Sequence, residues 1–347
     1  MSDNPLQIYR SGNVSTPDSE PLRLANATPP WRKFGSKQDE DGAFRGRSMS
    51  LRQESRGKTF QPTQAEARIV DAAIVLRRPL LIEGDPGIGK TSLAYSVAWQ
   101  LGLGDVLKWP ITSRSTLKDA LYRYDAIARL QDASISEKAG DEKSAGDIGK
   151  YMSLGPLGSA LVPNRTGPYQ PRVLLIDEID KSDLDLPNDL LHVLEEGSFE
   201  IPEIARLNRQ SPVSVRIHES STMFDLPADG KIECDDFPII MMTTNGEREF
   251  SPAFLRRCMR LRMNRPDEAK LKNILGAHLG SMPDTDSARD VLAHFVGKLN
   301  SGDQLAVDQL LNAIYLTQST NDVSPEKHQE IKQVVMQSLS DARELGT

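Results

Sequence analysis

The chain alternates short apolar runs with longer stretches in which apolar residues recur at helical spacing. Pro79-Leu80-Leu81-Ile82, Val173-Leu174-Leu175-Ile176 and Phe237-Pro238-Ile239-Ile240-Met241-Met242 are continuously apolar over strand length. Runs of this kind are buried on both faces, as in a parallel sheet. Val106 to Ile111 is a fourth candidate, with Pro110 marking an edge or an early end. Helices are predicted between them. Thr63-Gln64-Ala65-Glu66 fits a capping box, with Ile69, Ala72, Ala73 and Leu76 as the buried face and Arg77 and Arg78 at the closing end. Ser92 to Leu101 reads as helical, as does Thr116 to Gln131, including Tyr122-Arg123-Tyr124-Asp125. Leu186, Leu190, Val193 and Leu194 make a further amphipathic helix in which His192 reads as packed or on the surface.

The remaining stretches carry weaker patterns. Ala133 to Lys150 is charged, with Gly and Ser, as in an exposed insertion, and residues 199–236 mix β-prone pieces with polar turns, as in a hairpin-bearing insertion. Beyond Pro266 only helices are predicted: one from Pro266-Asp267-Glu268, one over Ser287 to Lys298, one over Gln304 to Thr317, and a last from Ser324-Pro325. Met1 to about Ser55 has no period and is rich in Pro, Ser and charge, which predicts a disordered or extended arm, with order beginning near Phe60. Trp31 and Phe34 in that arm read either as an anchor on a neighbour or as part of a tail folded back on its own domain.

Composition narrows the class. The 347 residues are enough for a large and a small domain, and 38% hydrophobic with 26% charged residues describes a soluble globular protein. A net charge of -7 gives no general electrostatic case for nucleic acid or an acidic membrane. Cys234 and Cys258 cannot make a metal site alone, no apolar run reaches membrane length, and Met1 to Arg10 lacks signal-peptide features. The expected location is a reducing cytoplasm.

The chemistry begins at Gly84, Asp85, Pro86, Gly87, Ile88, Gly89, Lys90 and Thr91, which fit the phosphate-binding P-loop pattern between a strand and a helix that opens with Ser92. Glycines there let backbone N–H groups converge on an anion at a helix N-terminus. Lys90 is expected to reach the β- and γ-phosphates and Thr91 to ligate Mg²⁺. The second apolar run ends in Asp177-Glu178, the Walker B pattern: Asp177 would hold Mg²⁺ through water, and Glu178 would orient and polarise the attacking water. The third run ends at Thr243-Thr244-Asn245, which places Asn245 near a γ-phosphate or that water. Arg256 and Arg257 follow a short helix opened by Ser251-Pro252, and their place after the Asn245 strand fits an arginine finger acting in trans.

With these parts in this order, the chain resembles AAA+ ATPases, and more narrowly the MoxR-type branch. The resemblance is carried by GDPGIGKT (84–91), LYRYDAIARL (121–130), GPLGSAL (155–161), LLIDEID (174–180), LLHVLEEGSFEIPE (190–203) and TTNGEREFSPAFLRRC (243–258). It implies an α/β fold: a P-loop NTPase parallel sheet flanked by helices over residues 59–265, a small α-helical lid over 266–347, and an arm over 1–58. It also implies ATP as the nucleotide, Asn245 as sensor 1, Arg257 as the finger with Arg256 as alternate, and an insertion around Tyr122 to Leu130 and Gly155 facing a ring pore. Hexameric rings, and a partner bearing a von Willebrand factor A domain, are further implications. One departure stands out. The stretch matching the family's lid arginine reads Leu305-Ala306-Val307-Asp308-Gln309, with no arginine between Arg289 and Arg343, leaving Lys298 or a neighbouring subunit as substitutes. The competing readings are a DNA-directed motor of restriction or helicase-loading type and a nucleotide-dependent scaffold with little hydrolysis.

Overall fold

The computed structural model describes residues 8–12, 14, 47–139, 148–164, 170–208, 210–280, 286–301, 303, 305–319 and 334. Trp31 and Phe34, and all but Val334 of the helix expected from Ser324-Pro325, lie outside these residues. Helices α1 (Leu51–Thr59) and α2 (Gln64–Val75) precede β1 (Leu80–Glu83), and α3 (Lys90–Gln100) follows it. Then come β2 (Leu107–Pro110), α4 (Leu117–Leu121), β3 (Tyr122–Tyr124), α5 (Ala126–Ala139), β4 (Met152–Leu154), α6 (Pro156–Ala160) and β5 (Val173–Asp177). The chain continues through α7 (Leu186–Glu196), β6 (Ser198–Glu200), α8 (Pro202–Ala205), β7 (Val213–Arg216), β8 (Met223–Leu226), β9 (Lys231–Glu233) and β10 (Ile239–Thr244). It ends with α9 (Pro252–Leu255), β11 (Met259–Arg262), α10 (Glu268–Leu279), α11 (Asp286–Asn300) and α12 (Val307–Ser319).

The apolar runs do form one sheet, ordered β11-β1-β10-β5-β2, in which every neighbouring pair is parallel. The reason they are apolar throughout is visible in the alternation. Leu81, Leu174, Ile176, Ile240 and Met242 feed one core. Leu80, Ile82, Val173, Leu175, Ile239 and Met241 feed a second core on the other face. With helices over both faces, this is the expected α/β P-loop architecture. β2 is an edge strand, where the missing N–H of Pro110 leaves no ladder bond unmade. The registers Glu83↔Thr244, Met242↔Ile176 and Pro110↔Asp177 bring the carboxyl ends of four strands to one rim. Helices α10 to α12 pack on a third apolar cluster around Leu271, Leu275, Phe295, Leu310 and Ile314.

Three local expectations need correction. Tyr122-Arg123-Tyr124 is a strand, not part of a helix, and pairs antiparallel with Leu154-Ser153-Met152. Its buried, exposed, half-buried pattern has a period of two that no helix satisfies. Order also begins well before Phe60. Helix α1 lies on α3 with Gly57 at the crossing, where a Cβ would come within 2.5 Å of the Tyr95 carbonyl oxygen. Farther back, Tyr9 is buried: its N–H donates to Asp71 Oδ1 (2.6 Å) and its hydroxyl to Ser96 Oγ (2.8 Å). Arg10 exchanges two backbone bonds with the Gln100 amide. The third correction concerns α2. Ala73 of its expected face is buried and Ile69 is half-buried against the core, but the buried face centres on Ala67, Val70, Ala73 and Ile74, Leu76 is exposed, and Asp71 is buried beneath the strap. The Thr63–Glu66 capping box is present.

Candidate functional site

The P-loop runs from the end of β1 into α3, with Gly84, Gly87 and Gly89 all at positive φ. No side chain caps the start of α3. Lys90 curls back over the loop, and its ammonium donates to the carbonyls of Gly84 (2.6 Å) and Asp85 (2.8 Å) and to Asn245 Oδ1 (2.8 Å). Burial lowers the Lys90 pKa, against the pull of Asp180, Asp85, Asp177 and Glu178. The Walker lysine and the residue expected as sensor 1, 155 positions apart in sequence, are thus within hydrogen-bond distance.

The Thr243 hydroxyl joins Asp177, the last residue of β5, and Glu178 just beyond it to β10. It donates to Asp177 Oδ1 (2.8 Å) and accepts the Glu178 N–H (2.8 Å). Thr91 Oγ1 donates to the same Asp177 oxygen (3.0 Å), and Lys108 on β2 pairs with Oδ2 (2.7 Å). Burial pushes the Asp177 pKa up, but the bonds from Lys108, Thr243 and Thr91 outweigh it and hold the carboxyl below its ordinary range. Glu178 sits at φ 62°, ψ 52°, a left-handed conformation unfavourable for a side chain of its size, and its carboxylate is parked on Lys181 (2.7 Å).

Thr91 and Asp177 fit the demands of Mg²⁺, a hard cation, because a hydroxyl and a carboxylate oxygen lie within hydrogen-bond distance of each other beside the loop. Among the described residues no group of three or more His, Cys, Asp or Glu could cage a metal by itself. Both cysteines are free and buried, and burial pushes each thiol up to about 12.

A cavity of ≈ 490 Å³ opens over the loop. Gly87 to Ser92, Asp177, Glu178, Thr243 and Asn245 line its floor, while Phe60 and Gln61 from the α1–α2 turn and Ile274, His278 and Leu311 from α10 and α12 form the walls. These wall residues were not singled out in the sequence, and no local signal marks them, because they come from segments that meet only in the fold. Asp180 was also missed. It is 3% exposed, and its Oδ2 accepts the N–H groups of Asn245 (2.8 Å) and Glu247 (3.3 Å), fixing the Asn245 loop. Its signal was the second aspartate of LLIDEID.

The helical segment reaches the loop by main chain. Val307 N–H donates to the Gly87 carbonyl (3.1 Å), and a Cβ on Gly87 would lie 2.3 Å from the Ala306 Cβ. Asp85 is paired with Arg265, and Lys270 pairs with the nearly buried Glu66 (3.0 Å). Lys298 pairs with Asp303 and does not line the cavity. Nor do Arg256 and Arg257. Arg256 is exposed, and Arg257 pairs with Glu195 of α7 and donates to the Ala253 carbonyl (3.1 Å).

A family model described as AAA domain (dynein-related subfamily) matches residues 79–258, just over half of the chain. The chain belongs to this family. The AAA domain match spans the P-loop, Asp177 and Glu178, Asn245 and the arginine pair. No curated protein matches the chain. Among solved structures, that of C. elegans PCH-2 aligns over 90% of this chain and 78% of its own at 15% identity. Its TM-score of 0.40 is too low to lend any residue a role. Among the described residues of this AAA domain protein, no helix is long and apolar enough to cross a membrane.

Proposed function

We propose that the chain is a MoxR-type, Mg²⁺-dependent ATPase that assembles into a hexameric ring in the cytoplasm and couples hydrolysis to remodelling or activation of a partner protein. A von Willebrand factor A domain is the adaptor the resemblance favours. The carrying observation is a division of labour. The groups that would hold and cleave a triphosphate line one cavity, whereas Arg256, exposed, and Arg257, half-exposed against Glu195, lie outside it. In this reading residues 59–265 form the ATPase unit, joined by the ordered segments 8–12 and 47–58, and residues 266–347 form the lid.

Gly87 to Ser92 present backbone N–H groups to phosphate, and Lys90 leaves the loop carbonyls for the β- and γ-phosphates. Thr91, and Asp177 through water, would hold Mg²⁺, which would supply charge neutralisation at the triphosphate. Glu178, released from Lys181, takes up the attacking water and draws off its proton, and Asn245 fixes that water or the γ-phosphate. Arg257, with Arg256 as alternate, completes the neighbouring subunit's site, a contribution of about 10³- to 10⁵-fold in rate.

Two variants test this. Glu178→Gln is expected to bind ATP and fail to cleave it in single turnover. Arg257→Ala is expected to bind ATP normally and hydrolyse it at least about a hundredfold more slowly. Turnover equal to wild type at saturating ATP in either variant would remove that residue from the mechanism.

A further inference from the structure

A second, four-stranded sheet, ordered β3-β4-β7-β8, plays no part in the chemistry above. Its registers are Arg123↔Ser153, Ser153↔Arg216 and Arg216↔Met223, so one cross-strand row runs Arg123, Ser153, Arg216, Met223. The opposite face is buried through Tyr122, Leu154, Val215 and Leu226. The row therefore faces outward, with its two arginines two strands apart, about 10 Å between backbones. It borders an open hollow of ≈ 690 Å³.

The charges in this hollow are unbalanced. Both arginines are exposed, and among the described residues neither guanidinium has a hydrogen bond or an ion pair. Of the lining residues only Glu219 is acidic; its side chain is 80% exposed and stands 3.8 Å from His218 Nε2. The His218 main-chain N–H is tied to Ser159 Oγ (2.9 Å), while Nε2 is buried with no hydrogen-bond partner among the described residues. Ser220 and Ser221 add hydroxyls, and the half-exposed Met223 adds apolar surface. Among the described residues, two unpaired guanidinium forks outnumber the Glu219 carboxylate in this hollow, which makes it locally positive on a protein of net charge -7, with exposed Asp225 farther along the same face.

We propose that the outward face of this sheet binds an acidic polypeptide segment of a partner protein, with Arg123 and Arg216 clamping its carboxylates beside the exposed Met223 side chain. A peptide fits better than nucleic acid. Tyr122 packs on the opposite side and gives no stacking platform, and two isolated arginines do not make a track along a phosphate backbone. The inference names the class of partner for the remodelling activity and rests on that reading for its purpose. The binding itself does not depend on hydrolysis.

The test is fluorescence anisotropy with full-length protein, no nucleotide, and a fluorescein-labelled ten-residue peptide carrying Glu at alternate positions. A matching Lys peptide and a labelled oligothymidine serve as comparisons. Wild type is expected to bind only the Glu peptide, more weakly as salt rises. Arg123→Ala and Arg216→Ala should each weaken binding about tenfold, and the double variant should lose it. Basal ATP turnover and melting temperature of the double variant should match wild type. Unchanged peptide binding by the double variant, no binding by wild type, or tighter binding of the oligothymidine or the Lys peptide would each overturn the proposal. Because Glu178→Gln should bind the peptide as wild type does, a failure of the ATPase reading would remain distinguishable from a failure here.

Discussion

The Asp177 carboxylate gathers three side-chain partners beside the P-loop, Thr91, Thr243 and Lys108, and its electrostatics lead to a measurable sign. Lys108, Thr243 and Thr91 all favour its charged form, so its folded-state pKa lies below that of the unfolded chain. The unfolded chain takes up this proton near pH 3.9, the folded protein only at lower pH. The stabilisation is thus fully present above the unfolded pKa and is lost as pH falls through the folded one. Asp177→Asn should be less stable than wild type at pH 6, with the gap closing as the pH is lowered towards 3. Urea melts across that range check this, and a gap that stays constant would mean the ionised form gains nothing from its neighbours. At the same scale, Arg257 and Glu195 are both substantially exposed, and such a pair contributes little in water. Arg257 can therefore exchange that partner for another at small cost.

Among the elements, the N-terminal strap is the least foreseeable and the easiest to test. Tyr9 fills a closed site between α2 and α3 and bonds through both its N–H and its hydroxyl. Tyr9→Ala should cost about 3 to 5 kcal/mol and Tyr9→Phe about 1 kcal/mol, read as shifts in the denaturant midpoint. A loss below 1 kcal/mol for the alanine variant would mean the strap is not docked in solution. The contrast with the central sheet explains what sequence can reveal. Strands such as Leu80–Glu83 and Ile239–Thr244 are apolar on both faces because both faces are buried, and the P-loop needs particular residues at fixed spacing, so each is written locally. Tyr122–Tyr124 becomes a strand only by pairing with Met152–Leu154 some thirty residues later, and α1 is held by the close approach of Gly57 to α3. Its nine residues bury none of the large apolar side chains that would have announced it. The cavity walls were illegible for the same reason: Phe60, His278 and Leu311 become neighbours only through tertiary contact.

For the whole molecule, the proposed placement of cleavage groups in one subunit and the arginine in the next makes turnover a property of the assembly. ATPase activity per chain should rise with protein concentration over the range in which mass photometry shows rings forming. Arg257→Ala subunits mixed into wild type should depress activity beyond their share of the mixture. Activity per chain that is flat under dilution to isolated subunits would rule out a shared site. The acidic overall charge is consistent with association driven by specific surfaces rather than by bulk attraction.

The junction at Gly87 and Val307 changes how the absent lid arginine should be understood. A peptide amide, present whatever side chain stands at 307, already ties α12 to the phosphate loop, so ordinary substitutions cannot silence that tether. Proline is the exception, because position 307 opens the helix, where the ring is tolerated and only the donor disappears. Val307→Pro should leave the fold intact while uncoupling helix movement from the loop, seen as normal nucleotide affinity with slowed turnover. A variant that cycles at the wild-type rate would show that the tether transmits nothing.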